Sequence, residues 1–258
     1  MKKIAVIGGG AWGTALADLL ARKGDFDTVT LWAREPEVVE SVNREHVNHM
    51  FLPGAALAPA VAAVGDLTAA VRGAEVVVSA APSHAVREVM TRARDKIGRG
   101  ALVVSVSKGL DPERLSTPSC VLADVLPKDA PIAVQSGPSF AREVYARQPT
   151  AVVAAAREHA TAQRVQQVFS TGFFRVYSAT DVLGVELGEG KRLEDALAGR
   201  AAVVEGVNTA RSAVTLAERH GVELPIAREV ADVLFNRKTP SQAVADLMER
   251  ELKPEHWR

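Results

Sequence analysis

The glycines at positions 8, 10 and 13, in Ile4-Ala5-Val6-Ile7-Gly8-Gly9-Gly10-Ala11-Trp12-Gly13-Thr14-Ala15-Leu16-Ala17, could bind a ligand with no side chain involved. Backbone N–H groups in the first turn of a helix have no partner in the helix. With the helix dipole they hold an anion, most readily a phosphate. In a Gly-x-Gly-x-x-Gly spacing the first glycine permits a tight turn and the second lets the backbone approach a pyrophosphate. The third lets the helix pack closely on the preceding strand. Gly8, Gly10 and Gly13 take those three places, with Ala11 and Trp12 between them. A βα turn that binds nothing can carry the same glycines. Here they lie between a short apolar run and an Ala/Leu-rich segment of helical spacing, which favours a dinucleotide.

Further candidates lie where other apolar runs end. Arg34 follows Leu31-Trp32-Ala33, where an acidic side chain would usually meet the ribose hydroxyls of NAD. An arginine suits a 2′-phosphate or stacks on adenine, so the cofactor expectation is NAD(P), leaning to NADP; a solvated charge at a helix start is the alternative. His84, in Ala81-Pro82-Ser83-His84, could carry a proton, although a lone histidine at a helix start more often caps it or faces solvent. Lys108, in Ser107-Lys108-Gly109-Leu110, is placed to hold an anionic substrate or a cofactor phosphate. Ser136-Gly137-Pro138-Ser139-Phe140-Ala141 offers a second small anion site at a helix start, or simply a Ser-capped, Pro-led helix.

The elements that must position these residues alternate between strand and helix. Strand-like runs fall at about 4–7, 28–33, 61–64, 75–80, 101–106, 132–135, 151–154 and 173–177, with a loop expected over 47–60. Residues 75–80 are apolar on both faces, as a central parallel strand must be. Helical spacing falls between the strands, including 66–72, 112–126 and 158–169. After Thr180-Asp181 the pattern becomes helical throughout, at about 182–187, 193–197, 203–220, 226–235 and 240–249. The expected fold is therefore α/β: a Rossmann-type doubly wound sheet over residues 1–180, then a small all-α domain over 181–258.

Composition sets the remaining limits. The 258 residues are 47% hydrophobic and carry 31 basic and 31 acidic side chains, so no global field draws nucleic acid or an anionic membrane. Any phosphate must be held by local groups. The single Cys120 forms no internal disulfide, no run is long enough to span a bilayer, and Lys2-Lys3 is followed by too few apolar residues for a secretion signal. The expected location is cytoplasmic, with no metal site.

The motifs quoted above, with Phe174-Arg175-Val176-Tyr177, Gly184-Val185-Glu186-Leu187-Gly188, Val204-Glu205-Gly206-Val207 and Gly221-Val222-Glu223-Leu224-Pro225-Ile226, resemble bacterial NAD(P)-dependent glycerol-3-phosphate dehydrogenase in order along nearly the whole chain. The resemblance implies hydride transfer between the nicotinamide and C2 of sn-glycerol 3-phosphate or dihydroxyacetone phosphate, a reaction that feeds phospholipid synthesis. It assigns Ala11, Trp12, Arg34, Lys108, Ala141, Val203 and Glu205 to the cofactor, and Lys108, Gly137 and Ser139 to the phosphorylated substrate. It also implies a general-acid lysine and a Ser-Arg-Asn loop in the helical domain. In this chain Gly188 leads directly to Glu189-Gly190-Lys191-Arg192-Leu193-Glu194, which resembles family sequence beyond those features, so a segment of many tens of residues is missing. Lys191 lies near that lysine's place by count and could substitute for it, but its neighbours match the later segment, and a solvated lysine at a helix start is the alternative. Shortened helices would expose apolar surface, repack or pair with a second copy, so a homodimer is expected, with an intertwined or domain-swapped form as one way to build it.

Overall fold

The computed structural model describes residues 2–108, 117–137, 139–180, 214–215, 218–219 and 224–249. The chain divides into two compact units, Met1–Val185 and Glu186–Arg258. In the first, ten strands are described: β1 (Lys3–Ile7), β2 (Thr28–Trp32), β3 (Val47–Asn48), β4 (Leu52–Ala56), β5 (Val61–Val64), β6 (Val76–Ser79), β7 (Leu102–Ser105), β8 (Ile132–Ser136), β9 (Thr150–Ala156) and β10 (Phe174–Ala179). Between them lie α1 (Ala11–Lys23), α2 (Pro36–Glu45), α3 (Leu67–Val71), α4 (Ser83–Ala93), α5 (Pro118–Val125), α6 (Ala141–Tyr145) and α7 (His159–Phe169).

Eight strands form one sheet in the order β10-β9-β8-β7-β6-β1-β2-β5. From β5 to β8 the pairing is parallel, and the order is that of a dinucleotide-binding sheet, in which the chain reverses direction at β1. β9 joins β8 antiparallel and carries β10 with it. Alternate residues of each inner strand enter opposite cores. Ile4 and Val6 pack with Leu16 and Leu20 of α1, Val38 of α2 and Phe169 of α7, while Ala5 and Ile7 pack with Leu67 of α3, Met90 of α4 and Leu122 of α5. Burial on both faces is why these strands read as unbroken apolar runs rather than alternating ones.

Local chemistry sets the element ends. Gly24, at φ +80°, closes α1 in the left-handed conformation. Pro36 opens α2, where its missing N–H costs nothing. Asp66 accepts hydrogen bonds from the Thr68 and Ala69 N–H groups at the start of α3, and the bonds from Thr68 hold its carboxyl below the usual aspartate range.

The expected loop at 47–60 is instead ordered as the β3–β4 hairpin. Polar anchors far away in sequence make the difference. Asp18 of α1, 3% exposed, accepts the Ala58 N–H at 2.7 Å and the Arg22 guanidinium at 2.8 Å, and Arg22 donates onward to the Ala56 carbonyl. The Tyr145 hydroxyl of α6 donates to the same carbonyl. The bond to Asp18 raises the Arg22 pKa above its ordinary value. In the helical span expected at 112–126, α5 is described from Pro118.

In the second unit α8 (Pro225–Phe235) and α9 (Pro240–Glu249) are described, with Ala231, Leu234 and Ala243 buried. Lys238, between the helices, is held by Glu229 of α8 and Asp246 of α9, and its pKa is raised by Asp246 and then Glu229. Lys191, Val203 and Glu205 lie outside the described residues, as do the helices expected at 182–187 and 193–197.

Candidate functional site

The carboxyl ends of β1 and β6 meet at the point where the chain reverses, and a groove of about 670 Å³ opens above them. Ligands of doubly wound sheets bind at this place. The glycine turn forms its floor, and each glycine there has a distinct constraint. Gly8 sits at φ +130°, and a Cβ on it would lie 2.7 Å from the Ala80 carbonyl oxygen. A Cβ on Gly13 would stand 2.0 Å from the Gly8 carbonyl oxygen. Gly10 differs from both, since a Cβ there would meet nothing within 4 Å. Gly8 and Gly13 serve the packing of strand against helix, whereas Gly10 faces open space. That is the cradle a pyrophosphate needs.

Gly10 is also the N-cap of α1, in extended backbone, and no side chain caps the helix. The Thr14 N–H closes the first helical turn onto the Gly10 carbonyl. The N-terminal end of the helix dipole therefore faces the groove, and the residues present fit a dinucleotide diphosphate.

Sequence-predicted residues converge here. Ala11, Trp12, Arg34, Lys108, Ser139 and Ala141 line the groove together with the glycines. Lys108 connects its two sides. Its ammonium lies 5.8 Å from the centre of the Trp12 ring and 5.7 Å from that of Phe140, and donates to the Ser139 carbonyl at 2.9 Å. Both rings are within cation–π range, so the ammonium is favoured in its place between them. Arg34 is exposed and pairs with Glu35 at 2.9 Å, an exposed contact of little energetic weight that leaves the guanidinium free to turn to a ligand.

Three expectations come out differently in detail. Neither Ser136 nor Ser139 caps α6: the N-cap is Phe140, and the Ser139 hydroxyl donates to the Gly137 carbonyl at 3.3 Å. Gly137 is not in the groove wall; a Cβ there would lie 3.0 Å from Cα of Val152, so its small size serves the approach of the chain to β9. His84 is exposed and lines the groove, but the N-cap of its helix is Pro82.

Sequence reading missed four contributors. Gly9 falls at an unconstrained place in the motif, yet a Cβ there would stand 2.6 Å from the Ala33 Cβ. Phe51, Phe140 and Arg92 line the groove from the hairpin, the start of α6 and α4. Phe140, 64% exposed, could have been suspected as a large apolar residue in a turn; nothing local marks Phe51 or Arg92.

The comparisons with known proteins agree with this geometry. A family model described as the N-terminus of NAD-dependent glycerol-3-phosphate dehydrogenase matches residues 3–162, and the corresponding C-terminus model matches 173–245. The chain belongs to that family. It is 36% identical to the glycerol-3-phosphate dehydrogenase (NAD(P)+) of Citrifermentans bemidjiense, over 98% of this chain and 99% of the relative. It is 37% identical to that of Geobacter sulfurreducens, over 99% of each. Among solved structures, the glycerol-3-phosphate dehydrogenase of Coxiella burnetii superposes with a TM-score of 0.67 at 27% identity, covering 96% of this chain and 99% of the other.

Members of this family are NAD(P)-dependent oxidoreductases acting on a CH–OH group. The match to the Citrifermentans enzyme spans 333 positions against the 258 residues here, so at least 75 positions of that span have no counterpart in this chain. Both ends align, which makes the shortfall internal. Among the described residues, no helix is long and apolar enough to cross a membrane.

Proposed function

We propose that this chain binds NAD(P)(H) in the groove above Gly8–Gly13, and that it is a cytoplasmic glycerol-3-phosphate dehydrogenase whose turnover is limited by the internal shortfall. The observation that carries the reading is Gly10, open to the groove beneath an uncapped helix at the β1–β6 switch point. When bound, the cofactor supplies or accepts hydride at its nicotinamide. The glycine turn and α1 hold the diphosphate, Arg34 meets the adenosine end, and Lys108 with Ser139 receives the small phosphorylated substrate. The alkoxide at C2 of that substrate must exchange a proton, a step for which the resemblance implies a lysine that this sequence lacks. A positioned general acid contributes about 10²–10⁴-fold. A homodimer in which two shortened helical regions cover each other is the assembly this reading favours.

The test follows loss of NADPH or NADH absorbance with dihydroxyacetone phosphate, alongside the Citrifermentans enzyme, with cofactor binding titrated separately. The expected result is retained binding with turnover roughly 10²–10⁴-fold below the relative. Equal turnover would overturn the proposed deficit, and absent binding would overturn the whole reading. If turnover disappears in Lys191→Ala, that lysine has taken the acid's place. The missing positions favour a second reading, a non-catalytic NAD(P)H-binding protein, which zero turnover with intact binding would establish.

The cofactor preference has its own test. Arg34→Ala is expected to weaken NADPH binding on the order of tenfold, the effect of losing a charged hydrogen bond at an exposed site, and NADH binding much less. Equal losses for both cofactors would mean that Arg34 only stacks on adenine, and would remove the lean to NADP.

A further inference from the structure

Asn48 is fully buried at the end of β3, outside the groove wall, and each polar group of its side chain is matched. The amide nitrogen donates to the Gly9 carbonyl at 2.8 Å and to the Thr14 hydroxyl at 2.8 Å. The amide oxygen accepts the Phe51 N–H at 3.0 Å. Thr14, also fully buried, donates its own hydroxyl to the Gly9 carbonyl at 3.3 Å. One amide thus connects the glycine turn, the first turn of α1 and the residue that brings Phe51 to the groove.

We propose that Asn48 is a positioning residue for cofactor binding, one that aims the diphosphate-binding backbone of the glycine turn and sets Phe51 in the groove wall. The inference rests on the cofactor reading above. A trans peptide is planar, with its C=O and N–H pointing in opposite directions. Holding the Gly9 carbonyl on Asn48 therefore directs the Gly10 N–H away from Asn48, and Gly10 itself lines the groove. Glycine has the widest backbone freedom of any residue, and Gly8-Gly9-Gly10 would otherwise lose that freedom only when ligand binds. An asparagine alone supplies two donors and one acceptor at this reach. Aspartate keeps the bond from Phe51 but sets oxygen against the Gly9 carbonyl.

Asp18 provides a control, because it anchors the chain at the end of the same hairpin through the Ala58 N–H, is 3% exposed, and its carboxylate bonds go to Ala58 and Arg22 rather than to the glycine turn. Titration of NADPH by protein fluorescence, with thermal unfolding of the ligand-free chain, is to be compared for Asn48→Asp and Asp18→Asn. Asn48→Asp is expected to weaken NADPH on the order of tenfold or more, while Asp18→Asn lowers the unfolding temperature and leaves NADPH affinity within about twofold. Unchanged affinity in Asn48→Asp overturns the proposal, as does an equal loss of affinity in both variants, which would mean that the hairpin matters only as a whole. If Asn48→Asp does not fold, Thr14→Val removes one of the two acceptors, and a several-fold loss of affinity is expected there; none would overturn the proposal. Failure of the unaltered chain to bind NADPH overturns the cofactor reading and this inference together, whereas binding that Gly10→Glu abolishes and Asn48→Asp does not touch overturns the inference alone.

Discussion

Gly10→Glu is expected to abolish NAD(P)H binding and leave the unfolding temperature within a degree or two of the unaltered chain. The two halves of this result have separate causes. A Cβ at Gly10 meets no protein atom within 4 Å, so the longer side chain enters the groove without displacing backbone or core. Its carboxylate then occupies the space above the α1 N-terminus, where the diphosphate would lie. Apposed like charges cost several kcal/mol, and each 1.4 kcal/mol is tenfold in affinity, so the loss is on the order of a thousandfold. Gly10→Ala introduces bulk without charge and is expected to give an intermediate loss. Cofactor titration and differential scanning calorimetry on the same samples check both halves. Binding that survives Gly10→Glu would remove the dinucleotide assignment, and a large fall in unfolding temperature would show that Gly10 serves packing.

Gly13→Ala is expected to do the reverse and destabilise the first unit before any ligand is added. The new methyl would lie 2.0 Å from the Gly8 carbonyl oxygen and 3.2 Å from the Ala80 Cβ. The nearer contact is backbone, so no rotamer change relieves it, and α1 must move off β1. Ordinary overpacking costs about 1–3 kcal/mol, and a backbone clash at this distance belongs at or beyond the upper end. For a unit of this size each kcal/mol shifts the midpoint by about 2–4 °C, so a fall of roughly 10 °C is expected. α1 carries Leu16 and Leu20 into the larger core cluster, and its displacement would also disturb the groove floor. Cofactor affinity should therefore fall along with stability. An unfolding temperature unchanged in Gly13→Ala would mean that the close approach of helix to strand is not required.

The contrast between these glycines shows how much the motif itself conveys. Its spacing distinguishes the glycines closed in by backbone, Gly8 and Gly13, from Gly10, which is open, because those demands arise within ten residues of chain. Gly9 escapes the same reading. The atom that excludes a side chain there is the Ala33 Cβ, which reaches it only when β2 lies beside β1.

The hairpin at 47–60 follows the same division. Pro53, Gly54 and Pro59 suggest a loop, and no local periodicity opposes it. Order comes from Asp18 and Arg22 on α1 and Tyr145 on α6, between 34 and 89 residues away for the contacts to Ala56. The burial of Asn48 and its bonds to the glycine turn have the same origin. A buried amide must find partners, and those partners are fixed by packing rather than by neighbours in sequence.

The sequence by itself determined the order of the eight strands of the large sheet, the glycine turn and the family, because apolar periodicity and glycine spacing are local properties of the chain. The internal shortfall against the relatives is likewise a matter of which residues are present. Only the tertiary structure decided that Ala33 closes in Gly9, that Gly137 packs on β9 and is not in the groove wall, and that Lys108 stands between Trp12 and Phe140. Each depends on the distance between elements far apart along the chain, and that distance is set when the two cores close over the faces of the sheet.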